Sequence, residues 1–375
     1  MEDKYTLERS LLRQGDIILT AENSATSKGI RVNTLSRYSH AAIWVGGTMI
    51  EAVPRGVFSK SGQRLMLAKA SQCTVLRSRR PLTDQQLEKI CAYARSQVGS
   101  LYALNEAILM LPRRWMKLET TKKQFCSRLV ALAYAEIDYD FINLRSPSYC
   151  TPGQLSRVKA FERVQGVVRR ASAEEIEFEK TFDPTQKNAE DTFEWLAKVR
   201  KMVGSDPALK AEFDIQTIGD VATFLLQRPE YDAKVVSFLH ENDYLTYYDH
   251  DVGINKHRYN PIWMTQVLRA MPDKQSFIDQ EIGKEISLIE HHPQNIFNGV
   301  SNYLETGLRF TYEHLKLYTN ILTGAYVRLQ HIAIACEAVG MHSDAQRAEE
   351  MKASIAHPLM IAGRVIRDAQ AGSAT

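Results

Sequence analysis

The hydrophobic pattern changes period near residue 170, and one architecture cannot serve both periods. Before that point, short runs rich in β-branched and apolar residues are bounded by turn formers: "DIILTA" (16–21), "AAIWV" (41–45), "TMIEAV" (48–53), "CTVLRS" (73–78) and "ERVQGVV" (162–168). Such runs predict strands. Helices lie between them. Thr83 with Gln86 forms a capping box ahead of "LEKICAYARSQV", and Thr151-Pro152 caps and opens a short helix. Beyond residue 190 nearly everything reads as helix. Within 301–339 apolar residues recur every three to four positions, which predicts long helices packed in a bundle.

The stretch between, "ASAEEIEFEKTFDPTQKNAE" (171–190), is charged and weakly patterned and predicts a linker. The expected organisation is an α+β domain over 1–170, a linker over 171–190 and an all-α helical bundle over 191–375. With 375 residues and 44% hydrophobic content, each part can bury a core of its own.

Charge divides at the same place. Residues 1–170 hold 27 Lys and Arg against 14 Asp and Glu, whereas the remainder holds 20 against 30. A basic front half suits an anionic polymer or membrane surface, and mutual attraction of the two halves accounts for the split equally well. No module for nucleic acid is recognisable. Apolar runs such as "LYALNEAILMLP" (101–112) fall short of the roughly 20 residues a membrane-spanning helix needs. The first twenty residues carry charges of both signs and no apolar core of a secretory signal. The expected location is cytoplasmic, or outside the cell by a secretion system that reads no signal peptide.

Five cysteines (73, 91, 126, 150, 336) are scattered and odd in number, which argues against a disulfide framework and a zinc site. One of them stands apart. In "KKQFCSRLVALAY" (122–134), Cys126 falls at the start of a helix, with Lys122, Lys123 and Arg128 close in sequence. Unpaired N–H groups and the helix dipole favour a thiolate there. A small buried residue at a helix start is the competing reading, since free cysteine is commonly buried.

A nucleophilic cysteine needs a base, most often histidine, held by a third polar group. Of ten histidines only His40 lies in the basic half. It opens "SHAAIWVGGTMIEAV", where Gly46-Gly47 between two strand-like runs signals a two-residue hairpin turn. That turn pairs Val45 with Thr48, Trp44 with Met49 and Ala42 with Glu51. His40 and Glu51 then share a face as diagonal neighbours, about 7–8 Å apart by backbone, within reach of a Glu side chain. A three-residue turn would instead send Glu51 to the opposite face.

"GDIIL" (15–19), "SHAAIWVGGTMIEAVPRGV" (39–57), "GSLYA" (99–103), "FCSRLVALAY" (125–134) and "TPGQL" (151–155) together resemble the circularly permuted branch of the NlpC/P60 papain-like superfamily, the YiiX/YaeF-type amidases. The resemblance spans about residues 10–168, with the His hairpin ahead of the Cys helix. It implies a permuted papain-like domain followed by an all-α domain, and roles for Cys126 as nucleophile, His40 as general base and Glu51 as its orienting partner. Tyr102 matches a Tyr associated with the oxyanion site in related enzymes. Ala103 stands where the family often has Asp, and 103–124 reads as an insertion.

The implied activity is hydrolysis of an amide through an acyl-enzyme, in a cell-wall peptide or a protein target, with no cofactor and no metal. To meet a cell-wall peptide such an enzyme would need an export route that reads no signal peptide, and delivery as an effector toxin is one such route. A lipid-directed acyltransferase, thioesterase or phospholipase on the same Cys/His logic is the alternative, and a non-catalytic binding platform is the third. The helical half fits a protein partner, an oligomerisation bundle or a substrate lid. "EHHPQN" (290–295) and "YDHDVGINKHRY" (248–259) gather His and Asp without zinc-site spacing. "RSRRP" (77–81) and "LPRRWMK" (111–117) read as solvated basic faces or as contacts to phosphate-bearing polymers or lipid headgroups. The other four cysteines read as structural.

Overall fold

A computed structural model of the chain describes residues 3–21, 37–103, 122–137 and 147–372. These fall into two compact units, Met1–Val221 and Ala222–Thr375.

The first unit is built on an antiparallel six-stranded sheet. Its strands are β2 (Ile17–Thr20), β3 (His40–Trp44), β4 (Thr48–Val53), β5 (Gly56–Ser61), β6 (Cys73–Ser78) and β7 (Phe161–Arg163), in the order β5-β4-β3-β2-β6-β7. A separate ribbon pairs β1 (Tyr5–Leu7) with β8 (Val168–Arg170). The run read as one strand, 162–168, is therefore two strands in two sheets, separated by the turn at Gly166. Strand β5 was not legible as a strand because "GVFSKS" lacks an alternating apolar pattern; its pairing with β4 supplies what its own sequence does not.

Both faces of the sheet are covered, so its central strands are buried throughout. On one face, Ile17, Leu19, Ala41, Ile43, Val45 and Ile50 pack with helix α1 (Asp84–Ser96) and helix α2 (Cys126–Ala135). The opposite face buries Ile18, Ala42, Trp44, Met49 and Val75 with Leu7, Leu12 and Leu67. In α2 every residue from Cys126 to Ala131, with Ala133 and Tyr134, is buried, as its nearly unbroken apolar sequence requires. The expected capping box forms at the start of α1, where Thr83 and Gln86 exchange bonds, and Thr151 caps α3 (Pro152–Leu155) as expected, with Gln154 adding the return bond of a second box.

The 171–190 stretch is not a linker. Ser172 caps α4 (Ala173–Glu179), and Asp183 with Pro184 starts α5 (Pro184–Ser205). Arg64 holds the join, its guanidinium donating to the carbonyls of Phe178, Glu179, Thr181 and Phe182 and lying 3.4 Å from Asp183. The weak apolar pattern concealed this because α4 is fixed by polar bonds, not by a buried face. Helix α5 lies on β5, with Phe193 stacked on Phe58 at 4.4 Å between centroids. The helices α6 (Pro207–Glu212) and the first turn of α7 (Ile218–Gln227) complete this unit, so its edge lies some fifty residues beyond the expected one.

The second unit is helical: α8 (Asp232–Leu239), α9 (His250–Ile254), α10 (Pro261–Ala270), α11 (Lys274–Thr306), α12 (Arg309–Ala338), α13 (His342–Ser354) and α14 (Ala356–Gly372). The long pattern at 301–339 is interrupted at Gly307-Leu308, where α11 gives way to α12. Leu315, Leu322 and Leu329 repeat along α12 and pack with Ile278, Ile282 and Ile296 of α11. Inside this core lies an ion network. Glu285 is fully buried and accepts both Arg328 (2.8 and 2.9 Å) and Arg258, and Arg258 also meets Glu281 at 3.0 Å. Arg258, with Asp251 and Tyr259, comes from the 248–259 stretch, whose polar residues thus serve the bundle interior. No described helix is long and apolar enough to cross a membrane.

Two stability tests follow. A Cβ at Gly56, whose φ is +135°, would lie 2.2 Å from the Phe193 ring and 2.8 Å from the Ser100 carbonyl oxygen. Gly56→Ala should cost at least about 2 kcal/mol in denaturant unfolding. Glu285→Gln leaves the buried Arg328 guanidinium without its paired carboxylate and removes one of the anions around Arg258, and should cost about 3–5 kcal/mol in the same measurement.

Candidate active site

The hairpin forms as the two glycines dictate. Gly46 and Gly47 have φ of +90° and +74°, values that glycine adopts without strain and that match the right-handed twist of the strands. The Val45 N–H donates to the Thr48 carbonyl at 2.9 Å, and the register is Trp44 with Met49, Ile43 with Ile50 and Ala42 with Glu51. His40 Nε2 lies 2.8 Å from Glu51 Oε2. The turn length therefore delivers the carboxylate to the imidazole.

Cys126 arrives from another element. It is the first residue of α2, after the extended Phe125, and the first intrahelical bond runs from Leu129 N to Phe125 O at 3.0 Å. The Cys126 backbone N–H thus belongs to the unpaired set at the helix start. Its side chain is a direct neighbour of His40 and favours the charged ring. Helix α2 lies on the Ala41/Ile43/Val45 face, whereas strand alternation assigns His40 and Ala42 to the other. The contact is made because His40 is the first residue of β3, at the sheet's end, where its ring can meet a group coming over the edge.

All three groups are sheltered: Cys126 is 3% exposed and His40 8%, and the Glu51 side chain 12%. Burial acts to lower the His40 pKa, but bonds and charge from Cys126 and Glu51 outweigh it and hold the ring well above the ordinary imidazole range. For Glu51 burial acts upward, yet the His40 bond, the His40 charge and Lys60 pull it down to about 2. Lys60 Nζ stands 3.8 Å from Glu51 Oε1, the oxygen not engaged by His40. Sequence reasoning missed Lys60 because it lies on β5; Phe58 opposite Glu51 in the register is the signal that would have found it. Arg128, fully buried in the first turn of α2, donates to the Lys123 carbonyl (2.7 Å) and the Ser148 carbonyl (2.9 Å), pinning the approach to Cys126.

Tyr102 comes to the same helix start. It forms a parallel bridge with Gln124, secured by Gln124 N to Leu101 O (3.0 Å) and Ala103 N to Gln124 O (2.8 Å). Tyr102 also packs with Phe125 and Ala103. Most of the 103–124 insertion lies outside the described residues, as does the basic "LPRRWMK" run. In "RSRRP", Arg77 pairs with the buried Asp16 at 2.6 Å and Arg79 lies 3.6 Å from Glu162. Cys73, Cys91, Cys150 and Cys336 are all buried, so burial does not single out Cys126; its histidine does.

With a helix-borne thiol against the histidine of an earlier hairpin, the order of parts is that of a permuted papain-like site. Residues 11–156 match the family described as permuted papain-like amidase enzyme, YaeF/YiiX, C92 family. This stretch is a permuted papain-like domain. The family is one of cysteine peptidases and amidases, so the domain is by kind a cysteine hydrolase of amide bonds. No curated protein matches the chain. The match ends at α3, which leaves α4 to α6 and the first turn of α7, all in the same compact unit, outside it.

The two shifts in the permuted papain-like domain bear oppositely on stability. Glu51, lowered on folding, contributes fully above its unfolded value of about 4.3, and the contribution is lost as pH falls toward 2. His40, raised on folding, contributes fully below about 6.5, and its contribution is lost as pH rises through the elevated folded value. Glu51→Gln should therefore lower stability most between about pH 4.5 and 6.5, by about 3 kcal/mol, and the difference from wild type should shrink as pH falls toward 2. Denaturant unfolding across that range measures it.

Proposed function

We propose that the chain hydrolyses a peptide-type amide with Cys126 as nucleophile, His40 as general acid and base, and Glu51 as the group that orients His40. The observation that carries this is the His40 ring held between the Cys126 thiol and the Glu51 carboxylate, in a domain of the amidase family. Glu51 engages Nε2, which leaves Nδ1 for the thiol. The buried carboxylate fixes the tautomer and favours the imidazolium that forms when the thiol gives up its proton.

The Cys126 thiolate attacks the carbonyl carbon, and the C–S bond forms as the carbonyl electrons move to oxygen. That oxyanion is met by the Cys126 backbone N–H, with Tyr102 beside it. Collapse of the tetrahedral intermediate breaks the C–N bond, and the His40 imidazolium gives its proton to the leaving amine. Neutral His40 then takes a proton from water, and the resulting hydroxide attacks the thioester. Collapse of the second intermediate releases the acid and returns the thiol proton to Cys126 through His40.

For substrate, peptide amides of the cell-wall type fit both the amidase kinship and a chain with a basic front half facing an anionic polymer. Action on such a substrate outside the cytoplasm belongs to the same proposal. The decisive experiment is alkylation of the purified protein by iodoacetamide across pH, read by peptide mass spectrometry, followed by incubation with muropeptides and with phospholipid vesicles. Selective labelling of Cys126 near pH 6 that drops at least tenfold in His40→Ala, with muropeptide cleavage abolished in Cys126→Ala, is the expected result. Slow labelling indifferent to His40 would overturn the nucleophile. Release of fatty acid with no peptide cleavage would move the assignment to a lipid-directed acyl hydrolase.

A further inference from the structure

We propose that the segment 184–221, beyond the family-matched part of the chain, is a built-in clamp for the oxyanion side of the site, with Gln216 and Arg200 as positioning residues. This rests on Cys126 as the nucleophile.

The clamp is a continuous set of hydrogen bonds. Gln216, 4% exposed, accepts the Leu101 N–H on its side-chain oxygen at 3.1 Å and donates from its side-chain nitrogen to Asp214 at 2.6 Å. Arg200 of α5 donates to the carbonyls of Gly99 (2.6 Å), Gln216 (2.7 Å) and Ile215 (2.9 Å), tying the 99–101 and 215–216 backbones to one rigid helix. Asp220 holds the far side, accepting the Gln216 and Thr217 N–H groups at 3.0 and 2.9 Å. On the near side, Leu101 O accepts Gln124 N and Gln124 O accepts Ala103 N, two residues before Cys126. Leu101 is thus bonded to Gln216 through its N–H and to the Cys126 approach through its carbonyl, and the next residue is Tyr102.

A loop on the surface of a domain normally meets solvent with such backbone groups. Here an extension of the chain takes them, and oxyanion donors work only when held at hydrogen-bond distance, about 2.7–3.1 Å, from where the charge develops. The clamp therefore acts on acyl transfer and not on the Cys126–His40 pair, which is assembled from β3, β4 and α2. Alkylation of a thiolate by iodoacetamide needs no oxyanion donor, whereas acylation by an ester does, so the two probes separate the roles.

Full-length Gln216→Met and Arg200→Met are each treated with p-nitrophenyl acetate, with acetyl-Cys126 followed by intact and peptide mass, and with iodoacetamide in parallel. The clamp predicts that acylation falls at least tenfold while alkylation stays within about twofold of wild type. Unchanged acylation overturns it, and so does an equal fall of both rates, which would mark ordinary structural support. Hydrogen exchange of the wild-type protein, which needs no variant to fold, should find the Leu101 amide protected at least as well as the Gln124 amide. Free exchange at Leu101 would also overturn the clamp. Absence of His40-dependent alkylation in wild type would sink the nucleophile itself, while the Leu101 exchange would still report whether the clamp exists.

Discussion

A carboxylate, an imidazole and a thiol taken out of water together must be paired or neutral, and the architecture around the hairpin is what allows this trio to be paired. Each partner offsets the desolvation of the next: Glu51 falls to about 2 against the push of burial, and His40 stays high against the pull of burial. That balance depends on the register of β3 against β4, which depends on a two-residue turn that only residues comfortable at positive φ can make. One extra residue in the turn would send Glu51 to the other face and leave a buried histidine with a single partner.

The same logic explains why the sheet is covered on both sides. One face takes α1 and α2, which brings the first turn of α2 over the end of β3; the other takes the β1 and β8 ribbon with its apolar neighbours. Helix α5 then covers β5, whose Lys60 completes the surroundings of Glu51. The extension beyond the family-matched stretch is thus joined to the elements that shape the site, through Arg64 at its start and Arg200 and Gln216 at its end. Arg200 and Gln216 satisfy backbone groups at 99 and 101 that a shorter chain would leave to water, whereas Arg64 satisfies carbonyls of the extension itself.

The helical unit solves a comparable problem. Glu285, Arg258, Arg328 and Glu281 lie buried between helices whose other contacts are Leu, Ile and Ala. Such a network is sensitive to the removal of any one member and adds directional bonds to packing that leucine and isoleucine repeats specify only loosely. Residues 248–259, which as sequence gather His and Asp without zinc-site spacing, supply Arg258 to it, with Asp251 and Tyr259 beside that guanidinium.

By itself, the sequence determined what is local. The periods of two and of three to four, the capping boxes at Thr83 and Thr151, the glycine pair of the hairpin and the helix start at Cys126 each follow from a few adjacent residues, and with them came the Ala42–Glu51 register and the proximity of His40 to Glu51. The permuted order of His hairpin and Cys helix was legible too, because it is an order along the chain. What only the tertiary structure decided is everything that rests on contacts distant in sequence. Helix α4 is held by Arg64 and not by an apolar face, so its stretch read as a linker; β5 is a strand because β4 is beside it; the unit runs to Val221 because Gln216 and Arg200 bond to residues more than a hundred positions earlier. The meeting of Cys126 with His40 belongs to the same class, since strand alternation assigns His40 to one face and α2 packs on the other. Periodicity fixes the direction of a side chain within its element, and only packing fixes which elements end at the same place.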